Sequence, residues 1–138
     1  MGGSPLILVD THVLIWLDQD DPALGRNSRT LVDEALREGA LAASAVSFWE
    51  VAMLVEKRRI AMDMPLAEWR MDLLGAGLVE VAVDGSIGIT AAELEGAHAD
   101  PADRMIIASA LATGADLLTA DKLMLGWPGP INRYDARQ

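Results

Sequence analysis

The chain has 138 residues and no cysteine; 51% of them are hydrophobic and 23% charged, the net charge is −10 and the pI is near 4.4. This is the composition of one globular domain, and it excludes a disordered chain, a disulfide framework, a zinc–thiolate site and a cysteine nucleophile. The acidity argues against a general nucleic-acid coat, which needs a basic surface.

LILV (Leu6 to Val9) is a continuous apolar run, the pattern of a parallel strand buried on both faces. DTHVLIWLD follows as a helix that Asp10 or Thr11 can cap. After the turn DDPALG, RNSRTLVDEALREG predicts a helix with Val32, Ala35 and Leu36 as its stripe and Gly39 as its carboxyl-terminal cap. ALAAS is a weak second strand. AVSFWEVAMLVEKRR is a helix capped by Ser44 or Ser47, and MPLAEWRMDLLGAG is another, stopped by glycines. LVEVAV (Leu78 to Val83) alternates as a strand, and SIGITAAELEGAHA is a glycine-weakened helix. PADRMIIASALATG is a strong helix, with Pro101 at its start, an acid in its first turn and Gly114 closing it. DLLTAD is a strand ending at Asp121, and INRYDARQ can add a short last one.

Strands alternate with helices, which means an α/β sandwich with a central, mostly parallel sheet. The chain shows no internal repeat, so residues 1–138 read as a single domain with residues 1–5 flexible. No apolar run is long enough to span a bilayer, and MGGSPLILVD lacks a basic n-region, so the expectation is a cytoplasmic protein with no membrane partner.

SFWEVAML poses a specific problem. On a helix, Glu50 has Val46, Met53 and Leu54 on its own face. A carboxylate on an apolar face needs a partner. Asp10 ends the first strand, Asp121 ends the last well-defined one, Asp103 lies in the first turn of the helix before it, and Glu50 lies near the start of the helix after the second strand. In an open parallel sheet, ligands bind beyond the carboxyl ends of the strands, where strand order reverses. Each of the three aspartates taken alone can be a helix cap or an answer to a helix dipole. Asp100, before Pro101, reads as such a cap and stays outside the candidate site. Four independent caps, however, need not all fall at one end of a sheet.

Like charges about 4 Å apart repel by roughly 4 kcal/mol at an effective dielectric near 20. Gathered acids therefore either share protons or hold a divalent cation. An all-oxygen cluster favours a hard ion such as Mg²⁺ or Mn²⁺. His12 and His98 stand apart from each other and form no metal pair or triad, and there is no glycine-rich phosphate loop. EKRRI (Glu56 to Ile60) is the one basic cluster, either a solvated helix end or a phosphate-backbone contact. Trp16, Trp49, Trp69 and Trp127 read as core or dimer-face residues rather than stacking platforms.

Taken together, ILVDTHVLIWL, AVSFWEVAMLVEKRRI, DPADRMIIASALATGADLLTADK and INRYDA resemble the PIN-domain proteins, specifically the VapC-type toxins of type II toxin–antitoxin pairs, from about Leu6 to Asp135. The resemblance implies a PIN-like α/β/α sandwich and a Mg²⁺- or Mn²⁺-dependent endoribonuclease that leaves 5′-phosphate and 3′-hydroxyl ends. It makes Asp10, Glu50, Asp103 and Asp121 the catalytic acids, with Asp10, Asp103 and Asp121 as metal ligands and Thr11 and Thr119 as supporting hydroxyls. Arg58, Arg59, Arg104 and Lys122 are candidate RNA contacts. The implied partners are an RNA substrate, a cognate antitoxin that covers the acidic cleft, and a second copy in a homodimer. At KRRI, related sequences often carry a glycine before the basic residue. A receiver-like phosphoacceptor domain, with Asp84 as acceptor, and a catalytically silent PIN-like binding module are the alternatives.

Overall fold

Ile7, Leu8 and Val9 are all buried, because β1 (Ile7–Val9) runs through the middle of a sheet covered on both sides. The structure, a computed structural model, describes residues 5–97 and 99–138. The expected flexibility of residues 1–5 thus lies, Pro5 apart, outside the described residues, as does the loop position expected for His98.

The sheet also contains β2 (Leu41–Ser44), β3 (Val79–Val81), β4 (Asp116–Thr119) and β5 (Arg133–Asp135), in the order β3-β2-β1-β4-β5. Every neighbouring pair is parallel; Leu8 stands opposite Ala42 on one side and Leu117 on the other. The chain moves outward from β1 through β2 to β3, then crosses back to place β4 against the free side of β1. The strand order therefore reverses between β1 and β4, and the acids that follow those two strands emerge side by side.

Alternation along the strands builds two cores. Ile7, Val9, Leu41, Ala43 and Leu118 face α1 (Thr11–Gln19), α2 (Arg26–Arg37), α3 (Ala45–Glu56) and α4 (Leu66–Ala76), packing with Val13, Leu14, Val32, Val51 and Trp69. Leu8, Ala42 and Leu117 face α6 (Pro101–Thr113) and α7 (Lys122–Leu125), packing with Ile106, Ile107, Ala110, Met124 and Trp127. A small third cluster, Ile87 and Ala91 against Ala108, fastens α5 (Gly85–Glu93) to the back of α6. This is the α/β/α sandwich the sequence predicts, with an all-parallel sheet.

The departures have local causes. The helix expected through Arg59 ends at Glu56; Arg58 takes the left-handed conformation, φ 58°, and the Arg59 N–H closes on the Leu54 carbonyl at 2.9 Å. That is a glycine-type helix end carried by an arginine. The helix expected through residue 99 stops at Glu93, because Leu94 is extended. The strand expected over 78–83 pairs only over Val79–Val81 at the sheet edge, where Arg70 grips Glu80 through two bonds of 2.7 and 2.8 Å. Among the described residues no helix is long and apolar enough to cross a membrane.

Candidate active site

Asp10 leaves β1 in an extended conformation and caps α1, its Oδ1 accepting the Val13 N–H at 2.9 Å. Its other oxygen accepts a hydrogen bond from the Thr119 hydroxyl at the end of β4. Thr119 Oγ1 in turn accepts the Asp121 N–H at 3.0 Å, and Asp121 caps α7 by accepting the N–H groups of Leu123 and Met124 at 2.8 and 3.2 Å. One buried threonine thus ties together the two acids that follow the adjacent strands β1 and β4. Asp10 is only 2% exposed, and burial is the main cause of its raised pKa, opposed by the Thr119 and Val13 hydrogen bonds.

Glu50 finds its partner in Thr11, at the start of α1: the Thr11 hydroxyl donates to the Glu50 carboxylate and its oxygen lies 3.0 Å from the buried Ser47 hydroxyl. The charge on the apolar stretch of α3 is therefore half-buried and hydrogen-bonded from another helix, which lets it stay in place. Burial raises the Glu50 pKa, the Thr11 bond lowers it, and nearby Asp100 raises it again.

Asp103 sits in the first turn of α6, whose cap is Asp100, with Oδ1 accepting the Asp103 N–H at 3.0 Å. Burial, followed by the charges of Asp100, Asp121, Glu50 and Asp10, pushes the Asp103 carboxyl up to about 7. Acids from four segments thus bear electrostatically on Asp103 near the carboxyl ends of the strands. Asp100 is one of them; it is both the cap the sequence suggests and a charged neighbour of the site.

Among the described residues no group of three acid or histidine side chains is arranged as it stands to grip one ion. This is compatible with the electrostatic coupling. Charge acts over several ångströms, whereas ligation needs oxygens about 2 Å from a shared point. Asp10, Glu50 and Asp121 are turned toward Thr119, Thr11 and the α7 backbone. The donors are mainly carboxylate and hydroxyl oxygens, with His12 beside Asp10 and Asp121, and such an oxygen-rich set suits a hard divalent cation.

Two hollows flank these acids. A groove of about 300 Å³ is lined by Trp49, Glu50, Met53, Leu54, Lys57, Arg59 and Asp100, among others. A hollow of about 200 Å³ is bounded by Asp10, His12, Trp16, Ala120, Asp121 and Arg137. Of the basic residues expected to meet RNA, Arg59 lines the groove and Lys122 is exposed directly after Asp121. Arg58 is exposed but does not line either hollow.

Arg104, the remaining expected RNA contact, is engaged by the fold itself. Its guanidinium donates to the carbonyls of Ala91, Ala92, Leu94 and Ala97 at 2.8 to 3.2 Å, satisfying the open end of α5. Lys57 and Arg137 were not singled out from sequence. Lys57 belonged to the visible EKRRI cluster, whereas no local pattern marks Arg137. Trp69 and Trp127 are core residues as expected; Trp16 is half-buried and lines the hollow of Asp10 and Asp121, and Trp49 is 57% exposed and lines the groove of Glu50 and Asp100. Asp84, the acceptor of the receiver-like alternative, is engaged as the cap of α5, its Oδ1 accepting the Ile87 N–H at 2.9 Å.

Comparison with known proteins agrees with this architecture. The PIN domain family model matches residues 7–125. Ribonuclease VapC22 of Mycobacterium tuberculosis is 32% identical over 117 residues, which is 84% of this chain and 87% of that protein. Among solved structures, a toxin–antitoxin complex from Klebsiella pneumoniae superposes with a TM-score of 0.63 at 23% identity, covering 94% of this chain and 98% of that one. VapBC2 from Rickettsia felis, bound to a promoter DNA fragment, gives 0.69 at 15% identity and the same coverage. DNA-bound VapBC from Salmonella typhimurium gives 0.66 at 19% identity, covering 96% and 98%. From the matched family, the identity to VapC22 and the shared sandwich, this chain belongs to the PIN-domain family, among its VapC-type members.

Proposed function

We propose that this chain is the endoribonuclease toxin of a toxin–antitoxin pair, a hydrolase that cuts RNA phosphodiester bonds with Mg²⁺ or Mn²⁺ and is held inactive by a cognate antitoxin. The observation that carries this reading is the convergence of Asp10, Glu50, Asp103 and Asp121 on one sheet edge, with Asp103 raised to about 7 by burial and by the other acids. The 32% identity to a ribonuclease supports the chemistry, and the likeness to toxin–antitoxin complexes supports the partner.

Asp10, Asp103 and Asp121 would hold the cation. When bound, it supplies positive charge that neutralises these carboxylates and the extra negative charge of the phosphoryl transition state. The rest falls to the chain's own groups. Thr119 and Thr11 fix the orientations of Asp10 and Glu50. Glu50 orients the attacking water. The water oxygen bonds to phosphorus, the bond to the ribose 3′ oxygen breaks, and a proton ends on that leaving oxygen, leaving a 5′-phosphate and a 3′-hydroxyl. Single-stranded or looped RNA is the expected substrate, because its bases and backbone are accessible.

An antitoxin guanidinium suits the acidic edge as an inhibitor, since it can bridge carboxylates with paired hydrogen bonds. A homodimer belongs to the same proposal; Met71, Ile89 and Leu123, each at least 60% exposed, are apolar residues available to such contacts. The test is incubation of purified, antitoxin-free protein with total RNA, with and without Mg²⁺ or Mn²⁺, beside Asp103→Asn. Cleavage that requires the metal and falls to background in the variant is expected. Equal cleavage by both proteins would defeat the proposal.

A further inference from the structure

We propose that Arg137, lodged on Trp16 beside the acidic edge, binds a backbone phosphate of the RNA next to the bond that is cut; the substrate class rests on the ribonuclease reading above. The segment carrying Arg137 is built into the fold on both sides. The Ala136 N–H donates to the Thr119 carbonyl at 2.9 Å, and the Gly25 and Asn27 N–H groups donate to the carbonyls of Ala136 and Gln138 at 2.8 and 2.9 Å. Ala136 is fully buried, and a Cβ on Gly25 would stand 2.4 Å from the Arg137 carbonyl oxygen, so only glycine admits the segment there. The backbone of Arg137 is therefore held in place.

Its side chain is aimed as well. Nη1 donates at 2.7 Å to the carbonyl of Ala120, the residue between Thr119 and Asp121, and the guanidinium carbon lies 5.8 Å from the centre of the Trp16 ring. The His12 ring stands 6.5 Å from the same indole. Arg137 shares the hollow with Asp10 and Asp121, yet the ion pairs among the described residues join Arg29 to Asp20 and Arg70 to Glu80. A fixed, exposed guanidinium thus keeps its charge and most of its donors beside the acids. In a chain of net charge −10, a polyanion needs such a local cation to approach. Lys57 and Arg59 line the other hollow, with Glu50 and Asp100, so each hollow beside the acids carries positive charge for a strand to meet.

A role confined to capping the Ala120 carbonyl and packing on Trp16 predicts different behaviour from phosphate binding, because only the latter releases counterions. The experiment uses a labelled single-stranded RNA oligonucleotide and the full chain in an Asp103→Asn background, so that RNA is bound but not cut. Dissociation constants are measured over a range of NaCl for Arg137, Arg137→Gln, Arg137→Lys and Arg37→Gln. Gln keeps a donor for the carbonyl, Lys keeps the charge, and Arg37, exposed at the far end of α2, carries the same charge change away from the site. Loss of one phosphate contact lowers the salt slope by about 0.7. That loss is expected for Arg137→Gln alone, with wild-type slopes for Arg137→Lys and Arg37→Gln. With Asp103 restored, Arg137→Gln should raise KM about tenfold and leave kcat within about twofold. An unchanged slope and KM in Arg137→Gln, or a slope lost equally in Arg137→Lys, would overturn the assignment while cleavage by the otherwise unaltered protein upholds the ribonuclease reading. Absence of both cleavage and RNA binding in the unaltered protein would overturn the two together.

Discussion

Asp103 gathers the electrostatics of the site: half-buried among like charges, it has its pKa pushed up to about 7, against 3.8 for an ordinary aspartate. Between those values the folded state binds more protons than the unfolded chain. The metal-free protein therefore loses stability from this group as pH rises through that window, and the loss is complete above about 7. Asp103→Asn removes the cost. We expect the metal-free variant to gain about 1–2 kcal/mol at pH 8, after allowance for solvent screening of a half-exposed group, and the gain to shrink toward pH 4. Thermal melts of both proteins across that range check it; equal melting temperatures at pH 8 would contradict the assignment. At this scale the acids were legible because a carboxylate such as Glu50 is anomalous among apolar neighbours. The engagement of Arg104 with the end of α5 was not legible, because backbone carbonyls leave no mark in the side-chain sequence.

Two helix ends in the fold depend on arginines. Arg58 holds a left-handed conformation that costs a residue with a Cβ about 1 kcal/mol relative to glycine. Since Arg58 is exposed and borders neither hollow, Arg58→Gly should stabilise the protein by up to about 1 kcal/mol and leave RNA cleavage intact. Denaturant melts with a cleavage assay read both, and a destabilised variant would show that the side chain contributes more than the strain costs. Arg104→Met should have the opposite sign, because it strips the α5 end of its shared donor; a loss of about 2–3 kcal/mol is expected in the same melts. The elements themselves were readable from apolar periodicity, caps and glycines, as for α6 between Pro101 and Gly114. Their ends were less so: α5 stops at Glu93 because Leu94 turns extended and a guanidinium thirteen residues away from Ala91 captures its carbonyls, a tertiary event.

For the molecule as a whole, topology is what converts separate acids into a site. The reversal of strand order between β1 and β4 brings Asp10 and Asp121 together, the crossover lays the start of α6 beside them, and α3 delivers Glu50 from the β2 side. Alternating strands and helices made the parallel sandwich legible, and with it the edge where ligands bind. The cations around that edge were harder to see. Arg137 reaches it only because the chain after β5 threads between Thr119 and Gly25, a contact spanning more than a hundred residues. The most direct measurement of the central claim is calorimetric titration of the antitoxin-free protein with Mn²⁺, beside Asp10→Asn, Asp103→Asn and Asp121→Asn. The account predicts a binding isotherm in the unaltered protein that weakens at least about tenfold in Asp10→Asn and Asp103→Asn, the loss of one charged ligand being worth more than 1.4 kcal/mol. Identical isotherms in all four proteins, or none in any of them, would contradict it.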